Sequence, residues 1–546
     1  MKKVINKILF GGLVAGMALT SVSCADDYLD TKPTDATSTA DAVGTVESAY
    51  GALNGIAKLM TVQHANYSGF AGENHIMIKM ESYPAQNYNY NYYASGWAPL
   101  LNQEYNFRNN TIYDSYAWYY YYSVIGGANT IIANIDAASG PEADKKFIKA
   151  SALTFRAFAY EKLTRYYCNR WADSNNGAGQ GLVLRLDEST GDLPYSTLLQ
   201  TLDRIYTDCQ DAIALFEESG IDRNPTEVWI ANENVAHAVY ARAALIREDW
   251  QTALDQAKLA RVGFPLMSND EYKAGFCNPT KEWIFGSFGG SEEQNWYWSY
   301  GTQYSCNGDY ATADPTGAGG IDRFLINRIP NEDVRKSLFI TEDKFPGYDY
   351  TDPAVLNQTY AILGWDNEDI WNDVDAYVES MTPSGLSRAY ASGYFYLGGQ
   401  LKFWVFDMPG VSYLPFIRSS EMVLIEAEAN YNLPGGEAAA QAALVELNAT
   451  SGRNPNYTCT KTGKDLFEEI HDYRSLELWG EGFDWSDYKR WNRPVSRKTV
   501  AQGGNHHPSV AIDIAPDAGN KWTWAVPERE ILYNDALNVA PAAPEE

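Results

Sequence analysis

The chain has 546 residues, of which 45% are hydrophobic and 14% aromatic, and its formal net charge is −28. This length and hydrophobic content can form a sizeable core, and the high aromatic content argues against intrinsic disorder. The negative charge argues against binding to a nucleic acid backbone, or to a membrane by electrostatics alone. Neutral or weakly charged ligands are therefore favoured.

The first 23 residues have the pattern of a secretory signal peptide. A basic start precedes an apolar stretch over residues 8–19, which is shorter than a transmembrane helix requires. Small residues then lead directly into Cys24. This pattern resembles a lipoprotein signal, which implies cleavage before Cys24 and acylation of that cysteine; the alternative is ordinary secretion. Acidic residues after the cysteine resemble the tether of lipoproteins displayed outside the cell, and residues 24–40 are expected to be a flexible tether.

Helical periodicity occurs in both halves of the chain. Apolar residues recur at intervals of three and four residues, and several segments form pairs with short turns and alanine-rich faces. Such pairs are typical of tetratricopeptide-like hairpins, which bury their apolar faces by stacking on one another. The predicted helical segments are 45–60, 116–135, 144–167, 198–217, a hairpin over 234–262 and a second hairpin over 422–449.

Two regions, residues 68–110 and 264–415, lack this periodicity and are rich in Tyr, Trp, Asn and Gly. Aromatic faces can stack on a sugar ring while Asn and Tyr side chains bond its hydroxyl groups; the alternative is that these aromatics pack within their own loops. An insertion as long as the second region is usually functional. The candidate ligand-binding residues are Trp97, Trp296 and Trp298 for stacking, and Glu73, Asn102 and Tyr300 for polar contacts.

A segment near the C-terminus interleaves acidic and basic residues with an apolar stripe. Ile470, Tyr473, Leu476 and Trp479 predict one face of a helix that ends near Gly482. The acids could form a glycosidase pair, but an ion-paired network that fixes a helix end is the favoured interpretation. The charged residues are Arg474, Glu477, Glu481, Asp487 and Arg490.

These residues resemble the C-terminal signature of the SusD/RagB family of Bacteroidetes surface lipoproteins. The pattern R-x-x-E-L-x-x-E-G, followed by an acid and R-W, is matched from Arg474 to Trp491, although Asp484 stands where the family often has a basic residue. The sequence ALTFRAFAYEKL at 152–163 is similar to an early helix of the family, and PEREI followed by Asn534 is similar to its closing element.

The resemblance implies a mostly α-helical, SusD-like fold, in which tetratricopeptide-like hairpins support an irregular, loop-rich ligand-binding subdomain. The implied organisation is one domain over 41–546, with a scaffold at 41–263 and 416–546 and an insertion at 264–415. It further implies a lipid-anchored protein on the outer face of the outer membrane. This protein would bind oligosaccharide or polysaccharide and deliver it to a SusC-like TonB-dependent transporter; some family members capture peptides instead.

Sequence motifs for catalysis are missing. The chain has no nucleophile elbow, phosphate-binding loop, dinucleotide fingerprint or HExxH, and no two of its six cysteines are at CxxC spacing. His506 and His507 lie in a loop flanked by glycine and proline. We expect no cofactor, no metal and no enzymatic activity, although a glycoside hydrolase that uses two carboxylates is the open alternative in a chain with 70 acidic residues.

Overall fold

The computed structural model describes residues 42–89, 97–106, 108–290, 299–308, 319–360, 368–388, 396–407, 410–516 and 522–538. The predicted signal peptide, Cys24 and the tether lie outside these residues, as do Trp296 and Trp298. None of the helices in the described ranges is both long and apolar enough to cross a membrane.

The described part of the chain is mostly α-helical, as the sequence predicts. The helices of seven or more residues are α1 Val46–Leu59, α2 Ile112–Asn134, α3 Glu142–Tyr167, α4 Leu198–Ser219, α5 Glu233–Ile246, α6 Trp250–Ala260, α7 Pro353–Tyr360, α8 Glu368–Met381, α9 Ser419–Asn432, α10 Glu437–Val445, α11 Gly463–Glu477 and α12 Asp484–Arg490. Shorter helices are Gly72–His75, which continues as a π-helical segment Ile76–Ser82, then Ala98–Leu101, Asn269–Tyr272, Tyr300–Tyr304, Arg323–Arg328 and Glu528–Tyr533.

Short strands form antiparallel pairs between these helices. The pairs are β1 with β5, β2 with β3, β4 with β6, and β7 with β8. The strands are β1 Tyr88–Asn89, β2 Gln180–Val183, β3 Tyr195–Thr197, β4 Trp283–Gly286, β5 Gly320–Ile321, β6 Pro415–Arg418, β7 Val495–Ser496 and β8 Asp513–Ile514.

The long helices form a row in which each packs on its neighbour. α3 lies against α2 and α4, and α5 lies against α4 and α6. α9 follows the insertion in the chain, yet it packs on α6, which precedes the insertion. Ala253, Ala257 and Ala260 of α6 are buried, and such small side chains let neighbouring helices approach closely. The predicted helices and both hairpins are therefore confirmed.

The end of α11 differs from the prediction. The helix ends at Glu477 rather than near Gly482. Gly480 and Gly482 have φ angles of 78° and 84°, which glycine adopts without strain, so the chain turns sharply before α12 begins. Trp479 consequently lies in this turn and not on the helical stripe.

The insertion contains more helix than the sequence predicts. Val374 and Val378 of α8 are buried in a small second core, whose buried members all come from residues 306–404. The two ends of the insertion are held together where β4 pairs with β6, with Trp283 opposite Arg418. β4, in the first part of residues 264–415, thus lies beside the strand that leads into α9.

Candidate functional site

The segment after α1 forms the base of the candidate site. Gly72 has a φ angle of 49°, and a Cβ atom there would lie 2.1 Å from the carbonyl oxygen of Met60, so only glycine fits. The π-helical segment Ile76–Ser82 that follows is entirely buried, in a region where the sequence predicts neither helix nor strand. α12 packs on this segment, so part of the C-terminal signature contacts the π-helical turn.

Trp97 is half-buried beside Lys79, which belongs to the π-helical segment. The Lys79 ammonium lies 3.4 Å from the centroid of the Trp97 ring and 4.2 Å from the centroid of the Tyr83 ring. Lys79 is 1% exposed, and its Nζ has no hydrogen-bond partner among the described residues. Burial lowers the pKa of Lys79 well below its ordinary value. Cation–π attraction to the two rings therefore takes the place of a carboxylate partner.

Trp97 belongs to a cluster of aromatic side chains. Its ring lies edge-to-face with Tyr83 and with Tyr113, at centroid distances of 6.0 and 6.3 Å. Tyr113 in turn stacks on Tyr105 at 4.9 Å, with an interplanar angle of 12°. Trp97, Tyr105 and Tyr113 are all half-buried, so part of each side chain faces solvent. The cluster, called the Trp97 cluster below, combines flat apolar faces with hydroxyl groups.

Asn102 ends the short helix that Trp97 begins. Its backbone N–H donates to the carbonyl oxygen of Ala98 at 2.8 Å, and its Nδ2 donates to the carbonyl oxygen of Ser509 at 3.1 Å. The side chain is half-buried. The structure therefore places two of the predicted site residues, Trp97 and Asn102, at opposite ends of one helical turn.

Glu73 and Tyr300 lie in the interior, with exposed fractions of 1% and 0%. The Glu73 carboxylate accepts a hydrogen bond from the Tyr121 hydroxyl at 2.7 Å and lies 3.3 Å from Nζ of Lys162. The Tyr300 hydroxyl donates to the carbonyl oxygen of Gly480 at 2.9 Å. The polar groups of both residues are thus used within the protein, so ligand contact by either one stays a prediction that requires rearrangement of the interior.

Sequence reasoning missed Lys79 and the three tyrosines of the Trp97 cluster. Lys79 is the one lysine or arginine between Lys58 and Arg108, which is a signal that the sequence carries. Its contact with Trp97 depends on the π-helical turn, however, and hydrophobic periodicity does not predict such a turn.

The acids of the C-terminal signature form buried ion pairs, as predicted. The Glu481 carboxylate lies 2.7 Å from the Arg418 guanidinium, and Glu477 lies 3.1 Å from the same guanidinium. Burial would raise the pKa of Glu477, but its arginine neighbours outweigh burial and hold that pKa well below its usual range. The cations around these two acids are Arg335, Lys402, Arg418 and Arg453.

The remaining acids of this segment also have partners. Asp487 lies 2.6 Å from Arg474 and 2.8 Å from Arg490. Asp484 accepts hydrogen bonds from the backbone N–H and the Nδ2 of Asn87, at 3.0 and 2.7 Å, and burial raises its pKa to about 7. For these residues the structure favours an ion-paired, fold-stabilising role over a glycosidase pair.

The histidines and acids of the described residues do not form a metal site. No group of three or more His, Cys, Asp or Glu side chains in these ranges is placed to hold a metal ion. His506 is buried, with Nε2 3.1 Å from Asp322, and His507 lies within hydrogen-bond distance of the Ser509 hydroxyl. These two histidines thus take part in local polar contacts.

Two family models match this chain, each over a separate segment. A SusD-like family model, described as starch-binding and associating with the outer membrane, matches residues 27–245. The SusD family model matches residues 409–538. A comparison with curated proteins found no match.

Solved structures match nearly the whole chain. A SusD-like carbohydrate binding protein from Bacteroides vulgatus is 21% identical with a TM-score of 0.69, over 90% of this chain and 97% of its own. A SusD superfamily protein from the same species is 20% identical with a TM-score of 0.68, over 92% and 100%. A SusD superfamily protein from Bacteroides thetaiotaomicron is 20% identical with a TM-score of 0.66, over 90% and 99%. At these identities the comparisons show a shared fold.

Proposed function

Because this chain belongs to the SusD/RagB family, we propose that it is a cell-surface lipoprotein that binds oligosaccharide or polysaccharide without cleaving it. It delivers the bound glycan to a SusC-like TonB-dependent transporter in the outer membrane. An acylated Cys24 anchors the protein, and residues 24–40 tether it to the outer face of that membrane. The scaffold at 41–263 and 416–546 supports the insertion at 264–415.

The observation that carries this proposal is the arrangement of Trp97 on Lys79. The Lys79 ammonium and two tyrosines that lie edge-to-face with the indole fix the half-buried ring, so a sugar that stacks on it would cost little additional side-chain entropy. Trp296 and Trp298, which lie outside the described residues, stay candidates for further stacking contacts. A neutral glycan also suits a chain with a net charge of −28.

Binding without catalysis is supported by the state of the signature acids. Glu477 and Glu481 are each surrounded by cations and buried, so neither is free to donate or accept a proton at a glycosidic bond. Incubating the purified protein with a polysaccharide panel should therefore release no new reducing ends.

The binding test compares two half-buried tryptophans. Trp97→Ala should weaken glycan affinity by about 1–3 kcal/mol, because a stacking ring at the centre of a binding surface contributes about this much. Trp229→Ala is the control, since Trp229 is also half-buried but donates to Asn54 on the helical scaffold. Isothermal titration calorimetry with the panel measures both variants. Equal affinities of Trp97→Ala and wild type would exclude Trp97 as the platform.

A further inference from the structure

A cavity of about 240 Å³ lies on the helical scaffold and shares no residue with the Trp97 cluster. α3, α5, α9, α11 and α12 all contribute to its walls. Asn169 and Asn432 at its edge are exposed, so the cavity reaches the protein surface. Below it is called the scaffold cavity.

Cations outnumber acids in the wall of the scaffold cavity, although the whole chain is strongly acidic. The cations that line it are Arg165, Arg170, Arg242, Arg474, Lys489 and Arg490, and the acids are Glu161, Glu248, Glu428 and Asp487. These arginines are paired with acids of the wall or with Glu421 and Asp173 beside it, so the preference of the cavity for a ligand depends on donors that the ion pairs leave unused.

Two of these arginines have unused hydrogen-bond donors. Arg242 donates to both oxygens of Glu421 at 2.7 Å, and Arg474 donates from Nε to Asp487 at 2.6 Å. The Nη1 atom of each arginine is buried without a hydrogen-bond partner among the described residues, and each residue is 2% exposed. Buried N–H groups rarely stay unpaired, which points to an acceptor that the protein itself does not supply.

The two guanidinium groups lie against the same aromatic ring. Their Cζ atoms are 5.0 and 5.3 Å from the centroid of one ring, that of Phe483, and Cζ of Arg165 is 5.5 Å from the same centroid. The two oxygens of a carboxylate can accept from two guanidinium groups placed around one ring and match them in charge.

An acceptor is also unused in the same wall. Glu161 accepts from Nε of Arg165 through Oε1, while its Oε2 has no hydrogen-bond partner among the described residues. A ligand that satisfies both arginines and Glu161 must therefore carry acceptor atoms, which a carboxylate supplies as a charged pair, together with a donor group. Trp171, Trp250 and Trp491 also line the cavity and are half-buried, which adds apolar faces for the body of such a ligand.

We propose that the scaffold cavity binds a small carboxylate that also carries hydroxyl or ammonium donors. Its carboxylate accepts from Nη1 of Arg242 and Arg474, and its donor bonds Oε2 of Glu161. A hexuronate and an α-amino acid share this chemistry. The site is separate from the Trp97 cluster, so it does not depend on the proposed glycan function.

The test uses the full chain purified in detergent and carrying Trp97→Ala, which removes the proposed platform for neutral sugars. Galacturonate and glutamate are titrated in separate calorimetric experiments, with galactose as the neutral match of the first. The proposal is supported if either acid binds at least tenfold more tightly than galactose. The acid that binds more tightly then shows whether the ligand is a hexuronate or an α-amino acid. If neither acid binds more tightly than galactose, the proposal is overturned.

A charge variant at the edge of the cavity provides a second test that spares the buried arginines. Asn169→Asp adds a negative charge at the edge while keeping the oxygen that accepts from the Thr523 hydroxyl. We expect this charge to weaken binding of the acid about three- to tenfold. Asn224→Asp is the matched control, because Asn224 is exposed, accepts from the Thr226 hydroxyl in the same way and does not line the cavity. Equal affinities of the two variants would also contradict the proposal.

Discussion

Lys79 is expected to lower the stability of the folded protein while it contributes to glycan binding. A buried ammonium without a carboxylate partner destabilises the folded state, and a hydrophobic residue of similar volume avoids this desolvation cost. The same ammonium fixes the Trp97 ring through a cation–π contact. A buried charge beside an aromatic cluster is typical of a binding site. At such sites a residue needed for binding is kept even though another residue at that position would make the protein more stable.

The variant Lys79→Met should separate the two effects. We expect it to raise the free energy of unfolding by about 1–3 kcal/mol at pH 7, while glycan affinity falls by about 0.5–2 kcal/mol. The pKa of Lys79 is lowered in the folded state, so the unfolded chain binds the extra proton and wild type gains stability as pH rises toward 10.5. The advantage of Lys79→Met should therefore shrink over that pH range.

Urea unfolding at several pH values, together with calorimetry, measures both quantities for Lys79→Met. Lys58→Met is the control, since Lys58 also lies over an aromatic ring, 5.0 Å from the centroid of Phe288, but is exposed. A Lys79→Met variant that binds glycan as wild type does would show that the ammonium has no part in holding Trp97.

Glu477 illustrates the opposite case, a buried acid on which stability depends. Glu477→Gln should lower the free energy of unfolding by about 3–5 kcal/mol at pH 7, because it leaves several buried guanidinium groups without their counter-charge. Since the folded-state pKa of Glu477 lies below its ordinary value of 4.5, the contribution of its charge is present above pH 4.5 and is lost as pH falls further. The difference between wild type and variant should therefore decrease below pH 4.5.

Urea unfolding monitored by circular dichroism tests the Glu477 prediction at pH 7 and at successively lower pH. Glu218→Gln is the matched control, because the Glu218–Lys146 pair is largely exposed and should contribute less than about 1 kcal/mol. If the difference in the free energy of unfolding between wild type and Glu477→Gln stayed constant across the acidic range, the charge of Glu477 would not be its cause.

At the scale of elements, the turn between α11 and α12 depends on glycines with both a positive φ and close neighbours. Gly480→Ala should lower the free energy of unfolding by about 1–2 kcal/mol, because alanine is strained in the left-handed backbone conformation. Overpacking should lower it by about 1–3 kcal/mol more, because the new Cβ would lie 2.6 Å from Cε2 of Phe403. Gly435, after α9, has a φ angle of 75° and no atom within 4 Å of its Cβ position. Gly435→Ala therefore isolates the backbone cost, and equal losses in the two variants would refute the packing argument.

The same elements show how far the sequence predicts the fold. The helices of the scaffold were predictable because each has a continuous apolar face and a clear end; α9, for example, ends just before Leu433-Pro434-Gly435-Gly436. The end of α11 was not predictable, because the apolar stripe runs past Glu477 while the chain turns. That turn brings Glu477 and Glu481 to Arg418, which is distant in sequence.

The candidate site was predictable only in part, for a similar reason. Composition and position favoured Trp97 and Asn102, and the structure places both at one helical turn. Burial of Glu73 and Tyr300 depends on tertiary packing, which composition does not predict. The contact between Lys79 and Trp97 joins two segments through a π-helical turn, and no periodicity in the sequence indicates it.

At the scale of the whole molecule, buried charges join the insertion to the scaffold. Arg335 and Lys402 come from the insertion, and they contact Glu477 and Glu481 of the scaffold at 3.1 and 2.6 Å. On the scaffold itself, Arg242 of α5 and Glu421 of α9 form a buried pair that connects the segments before and after the insertion. The two segments that match family models are thus linked directly as well as through the insertion.

The proposed role of the whole molecule depends on its anchor, so the last prediction concerns Cys24. Several acyl chains on one cysteine give durable membrane attachment, at about 0.8 kcal/mol for each buried methylene. In cells, Cys24→Ala should move the protein out of the washed membrane fraction and abolish growth on the cognate glycan. Purified Cys24→Ala protein should still bind glycan with wild-type affinity, because the Trp97 cluster is far along the chain from the anchor.

Cys459→Ser is the control for this experiment, since Cys459 is half-buried within the folded part of the chain. It should remain in the membrane fraction and support growth. If Cys24→Ala protein stayed with the washed membranes, the anchor would lie elsewhere. If it left the membrane but growth continued, capture at the surface would not require tethering, and delivery to the transporter would have to occur from the free protein.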